Sequence, residues 1–270
     1  MSKIKDEIEK EKEFARTEPI KGEPKGYEFN AEKHIHTLDG KPLNGITTVL
    51  GVISKPALIP WAVKMAIDYL IENGRKEYMP VPEGEPMLLE GYLVTEEQLA
   101  EAKSAHRKKK EEAGQSGTDV HAEAETLLKG LIATNKGILR GDEKSDNPQI
   151  QHFIDWAIKE EVRFLDCEKH LYSRNHWIGG ITDFVCEKNG EVWVGDIKTS
   201  SGIYPEAFLQ MGAYALMLEE MGLYKGFKGF IVVNLKKDGT IQTQNSYDVA
   251  GNKEAFLSAL TLYRALEALK

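Results

Sequence analysis

The sequence predicts an α/β protein in which strands and helices of one core follow each other along the chain. Patterns typical of strands or helices occupy most of the second half, at 164–173, 181–187, 191–199, 205–221, 229–235 and from 254 onward. Strands and helices mixed in this order are typical of an α/β core. Hydrophobic residues make up 41% of the 270 residues, which is enough for one large domain or one domain with a small helical attachment.

The start of the chain predicts a charged tail followed by a small hairpin. Residues 1–26 are rich in charge and close with prolines and glycines, a composition typical of a tail. Short β-type pieces then run from 27 to 50 on both sides of Asp39-Gly40, which is a turn dipeptide. We expect this hairpin to open an N-terminal hairpin and helical subdomain over 27–113.

Two helices are expected next. Pro60 stands at a plausible first helical position before 61–70, where apolar residues recur at helical spacing. Thr95 is followed three residues later by Gln98, which is the pattern of a capping box. The polar helix that it starts is expected to end near Gly114, because glycine is unfavourable inside a helix.

The core is expected over 114–270. A helix should run from about 116 to 131, and His121 lies off the centre of its apolar stripe. Asn147 is a preferred N-cap residue and predicts a further helix before the strand 164–173.

Composition and charge narrow the function classes. The formal net charge of −8 argues against a protein that coats nucleic acid by bulk attraction, but it allows an enzyme with a local basic track. The two cysteines, Cys167 and Cys186, are too few for a four-cysteine cluster, so an iron–sulfur cluster of that kind is not expected. No apolar run is long enough for a membrane span and the start lacks a secretory signal, so we expect a cytoplasmic protein with no membrane partner.

The segment around the Asn-Gly dipeptide at 189–190 predicts a β-hairpin with a defined register. Asn-Gly between alternating runs is the strongest short-range signal for a two-residue turn. Counting outward from the turn places Asp183 directly opposite Asp196, with Cβ atoms about 4.5–5.5 Å apart. Two carboxylates at that distance repel unless one is protonated or a cation lies between them, which favours a divalent metal ion. The alternative is a surface hairpin with solvated charges.

Lys198 is expected on the same face as Asp196, because side chains two residues apart in a strand point the same way. Oxygen ligands from few protein groups suit Mg²⁺ or Mn²⁺, which also accept phosphate oxygens. An ammonium group beside such an ion could stabilise charge on a phosphate or help to deprotonate water. The pattern therefore indicates phosphodiester hydrolysis.

Four motifs together resemble the RecB-like branch of the PD-(D/E)XK nuclease superfamily. They are Gly117-Thr118-Asp119-Val120-His121, Gly179-Gly180-Ile181-Thr182-Asp183, Gly195-Asp196-Ile197-Lys198-Thr199-Ser200, and Gln210 with Tyr214. The segment from Ile46-Thr47-Thr48 to Trp61 is similar to the start of phage-type exonucleases, although less specifically. The resemblance implies a restriction-endonuclease-like fold, with a mixed central β-sheet flanked by helices and an N-terminal helical attachment.

The resemblance also implies roles for single residues. Asp183, Asp196 and His121 would be metal ligands, the backbone carbonyl of Ile197 would complete the shell, and Lys198 would be the catalytic lysine. Without the family, His121 would more often be a core or solvated residue than a ligand.

The resemblance implies three further positions, of which only Glu168 matches a less regular position of the family. Gln210 and Tyr214 are four residues apart on one helix face, which in the family contacts DNA or orients the lysine. Taken alone, a tyrosine on such a stripe is more often a core residue. Glu168, on the preceding strand, matches an acidic position of some relatives.

The expected function is a Mg²⁺- or Mn²⁺-dependent DNA exonuclease of phage-type recombination or replication, with DNA as substrate and a single-strand annealing protein as a plausible partner. Two alternatives remain open: a structure-specific endonuclease on the same fold and a non-catalytic DNA-binding module. Polarity, strand preference and oligomeric state do not follow from the sequence.

Overall fold

A computed structural model describes residues 26–79, 89–134 and 137–270. The expected tail, apart from residue 26, lies outside these ranges. The strands are β1 Tyr27–Asn30, β2 Ile35–Leu38, β3 Lys41–Pro42, β4 Asn44–Gly45, β5 Arg75–Met79, β6 Leu89–Leu93, β7 Arg163–Ser173, β8 Ile178–Lys188, β9 Glu191–Lys198, β10 Gly229–Leu235 and β11 Ile241–Ser246. The helices are α1 Ile46–Leu50, α2 Leu58–Asn73, α3 Glu96–Ala102, α4 Ala105–Ala133, α5 Pro148–Lys159, α6 Glu206–Glu220 and α7 Val249–Glu267.

The chain divides into two compact units. Residues 26–53 group with 120–270 in the first unit, and 54–119 form the second. The sequence-based division placed 27–53 with the helical segment. In the structure, Leu38, Ile46 and Val49 are at most 2% exposed, and burial of these side chains assigns the hairpin region to the core.

A mixed six-stranded sheet forms the centre of the first unit. Its strands follow the order β11, β10, β9, β8, and both β7 and β4 pair with β8. Strands β9 and β10 run parallel, whereas β7, β8 and β9 form an antiparallel succession. The predicted α/β class with a mixed sheet and flanking helices is confirmed at this level.

Apolar side chains pack on both faces of the sheet. On one face, residues of α1, α6 and α7 form the α6 cluster, and on the other, residues of α4 and α5 form the α5 cluster. In β9, Val192 and Val194 belong to the α6 cluster, whereas Trp193 and Ile197 belong to the α5 cluster. The predicted alternation of this strand is therefore confirmed.

A small antiparallel sheet of β1, β2 and β3 precedes the core, and Asp39 and Gly40 form its predicted turn with φ angles of 51° and 72°. The expected β-type piece at 46–50 is wrong, because these residues form helix α1. Its Ile46, Val49 and Leu50 recur at helical spacing, and their burial in the α6 cluster favours the helix over an extended piece.

The expected helix end near Gly114 is wrong, because α4 runs from Ala105 to Ala133. A Cβ at Gly114 would meet nothing within 4 Å. Glycine therefore destabilises α4 only through its low helix propensity, by about 1 kcal/mol, which a helix of this length tolerates. The break lies earlier, after α3, where the Ser104 hydroxyl donates to the Glu101 carbonyl at 2.9 Å. The capping box of Thr95 and Gln98 is confirmed.

In the second unit, β5 and β6 form an antiparallel pair and α2 packs against α3. Within the described residues, no helix is long and apolar enough to span a membrane.

Candidate metal centre

The β8–β9 hairpin has the predicted register along its outer half. Asn189 and Gly190 adopt positive φ angles of 54° and 79°, as a two-residue turn of this kind requires. Pairing runs from Lys188–Glu191 to Phe184–Gly195. The expected pair Asp183–Asp196 lies one step beyond the last pair of this ladder, at the point where the two strands separate.

Beyond that point, β8 exchanges one neighbour for another. Ile178 and Gly179 pair with β7 on one edge and with β4 on the other, the edge that β9 occupies further along. The β8–β9 gap therefore opens at Asp183. One link spans it: the backbone N–H of Ile197 donates to Asp183 Oδ2 at 2.7 Å.

Strand β7 contributes Glu168 to this point. Its neighbours pair as Cys167–Phe184 and Lys169–Thr182, so Glu168 faces Asp183. Glu168 has a φ of 45°, which is uncommon for a non-glycine residue and is associated with functional sites.

The positive φ of Glu168 coincides with a change of facing in the sheet. Residues four or six apart in a regular strand share a face. In β7, however, Cys167 packs in the α5 cluster and Leu171 packs in the α6 cluster. In β8, Phe184 packs in the α5 cluster and Ile178 packs in the α6 cluster. Both strands therefore reverse their facing within these intervals, which contain Glu168 in β7 and Asp183 in β8.

Three side chains from three elements converge there. His121 of α4, Glu168 of β7 and Asp183 of β8 offer ligand atoms that all lie within 4.8 Å of one another. His121 Nδ1 lies 3.7 Å from Asp183 Oδ2. Neighbouring Val120 and Ala124 anchor α4 in the α5 cluster, which leaves His121 half-buried at the site. An imidazole and two carboxylates at this spacing suit a divalent cation.

Burial raises the pKa of two carboxyl groups of the centre. Burial, and then the charge of Asp183, raise the pKa of Glu168 to about 7. The completely buried Asp196 also has its pKa raised to about 7, by burial against the opposing attraction of Lys198 and with a further contribution from Asp183. Ionisation of Glu168 and Asp196 is therefore costly near neutral pH, and a bound cation would lower that cost.

Only one of the two carboxylate oxygens of Asp196 has a hydrogen-bond partner. Its Oδ1 accepts from Lys198 Nζ at 2.7 Å, while its buried Oδ2 has no hydrogen-bond partner. A buried carboxylate oxygen without a donor is costly. A cation bound beside this oxygen would satisfy it, and the imidazole and two carboxylates of His121, Glu168 and Asp183 are donors that suit a divalent metal.

Lys198 begins a short chain of contacts. Its ammonium also donates to Gln210 Oε1 at 3.3 Å, and Gln210 Nε2 donates to the Tyr214 hydroxyl at 2.6 Å. Burial alone would lower the pKa of Lys198, but Asp196 and Asp183 hold it above its usual value, so the ammonium stays charged.

Helix α6 places Gln210 and Tyr214 one turn apart above the sheet. Tyr214 is 3% exposed, and a Cβ at Gly180 would lie 3.0 Å from its ring. Glycine at 180 thus permits the close approach of Tyr214. Burial, with the charges of Asp183 and Asp196, raises the pKa of Tyr214 well above its usual value.

All residues selected from the sequence lie at this end of the sheet, but their grouping differs from the expected shell. Glu168, the less regular position, belongs to the three-residue cluster, whereas Asp196 lies beside Lys198. Ile197 reaches the site through its backbone, and its side chain is buried in the α5 cluster. Its carbonyl as a ligand stays a prediction.

Sequence reasoning missed Asn234. This residue of β10 pairs with Lys198, is fully buried, and donates from Nδ2 to the Ser200 carbonyl at 3.0 Å. It therefore holds the backbone that follows Lys198. A lone asparagine in the apolar run 229–235 was the available signal.

Comparisons with known proteins do not name a family. No family model matches the chain, and no curated protein matches it. A solved structure titled "Crystal structure of SSO0001" is 16% identical with a TM-score of 0.27, over 42% of this chain and 57% of that one. The chain thus spans little more than half of that protein's length, and so low a TM-score carries no argument about fold or function.

Proposed function

We propose that this protein is a metal-dependent DNA exonuclease with the restriction-endonuclease-like fold of the RecB-like PD-(D/E)XK nucleases. The observation that carries the proposal is the row of carboxylates Glu168, Asp183 and Asp196 on three neighbouring strands, with His121 beside Asp183 and Lys198 beside Asp196. A row of this kind in a largely buried site is costly without a cation.

His121, Glu168 and Asp183 would hold an ion, and Asp196, whose Oδ2 has no hydrogen-bond partner, would be a further ligand, as the resemblance implies. A bound Mg²⁺ or Mn²⁺ supplies a Lewis acid for a phosphate oxygen and lowers the pKa of bound water. Asp196 and Gln210 fix the Lys198 ammonium from two sides, so that it can stabilise the charge of a phosphate. Tyr214 in turn holds Gln210.

The finer parts of the proposal rest on the resemblance of the motifs. They are cleavage from a DNA end, products with a 5′-phosphate and a 3′-hydroxyl, a role in phage-type recombination or replication, a single-strand annealing protein as partner, and action in the cytoplasm.

Two alternatives use the same residues differently. A structure-specific endonuclease on the same fold would cut a closed circle that contains its target structure, whereas an exonuclease cannot cut a closed circle. A non-catalytic DNA-binding module would have no use for a charged lysine held beside a buried carboxylate.

Digestion of DNA tests the proposal. Linear duplexes labelled at either end, linear single strands and closed circles are incubated with Mg²⁺, Mn²⁺ or EDTA. We expect metal-dependent shortening of linear DNA and intact circles. Asp146→Asn, which changes an exposed aspartate before α5, is the matched control and should cleave normally. Cleavage in EDTA, or cleavage of circles, would contradict the exonuclease proposal.

A further inference from the structure

Six rings cluster where the small sheet meets β7. They are Tyr27, Phe29, His34, His36, His170 and Tyr172, called the ring cluster below. Phe29 lies at its centre, with ring centroids 4.6 Å from His36, 4.8 Å from His170 and 5.3 Å from His34.

Hydrogen bonds hold three of these rings in place. The Tyr27 hydroxyl lies 2.7 Å from His36 Nδ1 and 3.3 Å from His170 Nδ1. Burial, with the neighbouring His34 and His170, lowers the pKa of His36 to about 4, so its ring is neutral and Nδ1 can accept from Tyr27. The tyrosine oxygen can then accept from His170, and the relative positions of the three rings are fixed before any ligand binds.

The ring cluster is not a closed core. Only His36 is buried, at 3% exposure, while Tyr27, Phe29 and Tyr172 are half-buried and His34 and His170 are exposed. Alternation along β1 puts Tyr27 and Phe29 on one face and Glu28 on the other, so β1 presents no carboxylate on the ring face. A polyanion can approach rings on such a surface.

Strand β7 joins the ring cluster to the metal centre. Glu168 is followed two residues later by His170 and four residues later by Tyr172, so the rings begin about 7 Å along the strand from the carboxylates. Both belong to the same unit of the structure. A chain that placed one phosphate at the metal centre would bring its next nucleotides within reach of the rings.

From this juxtaposition we propose that the ring cluster stacks the bases of a single-stranded DNA end that runs into the metal centre. Every base has a π-face, so stacking on aromatic and imidazole rings holds single strands without reading their sequence. Paired bases in a duplex do not expose these faces. The inference rests on the proposed function, because it assigns a substrate form to the same site.

The test measures binding without cleavage. A fluorescent oligothymidylate of about twelve nucleotides and an abasic strand of equal charge are titrated in EDTA, with fluorescence anisotropy as the readout. The wild type should bind oligothymidylate more tightly than the abasic strand. His170→Ala should weaken binding of oligothymidylate about fivefold or more, and His170→Tyr should restore it, because the ring and not the imidazole is required.

Controls separate stacking from other effects. His152→Ala removes a histidine of α5 outside the ring cluster and should bind as the wild type does. His34→Ala, on another exposed part of the cluster, serves as a second variant if His170→Ala does not fold in thermal melts. Unchanged binding by folded His170→Ala or His34→Ala, or an equal loss on the abasic strand, overturns the inference.

The outcome stays separable from that of the proposed function. Cleavage of DNA with binding that does not depend on the rings removes the ring cluster proposal alone. Ring-dependent binding by a protein that cleaves nothing, with any metal, removes the nuclease and leaves the single-strand surface.

Discussion

The two halves of the β8–β9 hairpin follow different rules. From Phe184–Gly195 to Lys188–Glu191 the strands pair without interruption, and Val194 and Trp193 alternate between the two faces. Beyond Phe184–Gly195 the strands separate. The facing of β7 reverses between Cys167 and Leu171, an interval that contains Glu168 with its φ of 45°, and that of β8 reverses between Ile178 and Phe184.

Unsatisfied polar atoms follow the same division. Among the described residues, the buried side-chain atoms without a partner are Thr182 Oγ1, Asp196 Oδ2, Asn234 Oδ1 and Trp193 Nε1, and the first three lie at the separated end. The paired half, from Phe184–Gly195 to Lys188–Glu191, therefore contributes mainly to stability. The separated half, beyond Phe184–Gly195, contains buried polar atoms that have no hydrogen-bond partner and that a ligand could satisfy. Substitutions in the two halves should then act on different properties.

The largest effects are expected at Asp183 and Asp196. Asp183→Asn and Asp196→Asn should each reduce cleavage about a thousandfold or more, as typical losses of catalytic groups do. In Asp183→Asn the amide oxygen of the new side chain can still accept from the Ile197 N–H, and loss of one negative charge relieves repulsion in the metal-free site. Stability measured by urea unfolding in EDTA should not fall. Near-wild-type cleavage by either folded variant removes the proposed site.

Substitution of Lys198 should lower the cleavage rate without lowering the affinity for metal. We expect Lys198→Ala to lose about a hundredfold or more in cleavage rate and to keep its Mn²⁺ affinity, because the ammonium contacts Asp196 and Gln210 and belongs to no ligand set. Isothermal titration with Mn²⁺ and single-turnover cleavage measure the two quantities. Lys159→Ala, on the exposed side of α5, is the matched control. A parallel collapse of metal affinity would show that the assigned role is wrong.

The paired half should respond in stability instead. A Cβ at Gly195 would lie 1.9 Å from Cε2 of the fully buried Phe184, so Gly195→Ala should destabilise the fold by about 1–3 kcal/mol or more. Urea unfolding measures the change. Gly114→Ala, where a Cβ meets nothing within 4 Å, should instead stabilise its helix by up to about 1 kcal/mol. If Gly195→Ala left the unfolding midpoint unchanged, the rigid packing of the paired half would be refuted.

The separated half should also make stability depend on pH in EDTA. Glu168 and Asp196 have folded-state pKa values raised to about 7, above the ordinary carboxylate range. Between that range and pH 7 the folded protein binds more protons than the unfolded chain, so its stability falls as pH rises through this window. Thermal melts from pH 5 to 8 in EDTA should show the decline. Mn²⁺ should oppose it at the upper end, and a rise in melting temperature with pH in EDTA contradicts it.

The same division explains what the sequence could predict. The Asn-Gly turn, the register and the faces of β9 follow from local rules, because a two-residue turn fixes a regular ladder. The place of Glu168 in the cluster does not, since it depends on a positive φ and a reversal of facing that no local pattern encodes. Asn234 was missed for a similar reason: its role comes from the parallel pairing of β10 with β9, which only the tertiary structure supplies.

His121 should give the smallest effect and the finest test of the separated half. It reaches the cluster from α4, and Val120 and Ala124 anchor that helix in the α5 cluster without it. His121→Ala should therefore weaken Mn²⁺ binding by about tenfold and leave the melting temperature in EDTA nearly unchanged. Protons on Glu168 and Asp196 compete with the metal near neutral pH, so the titration is made at pH 8.5, where both carboxylates are ionised. Unchanged Mn²⁺ affinity together with a large loss of stability would show that His121 has a structural role and is not a metal ligand.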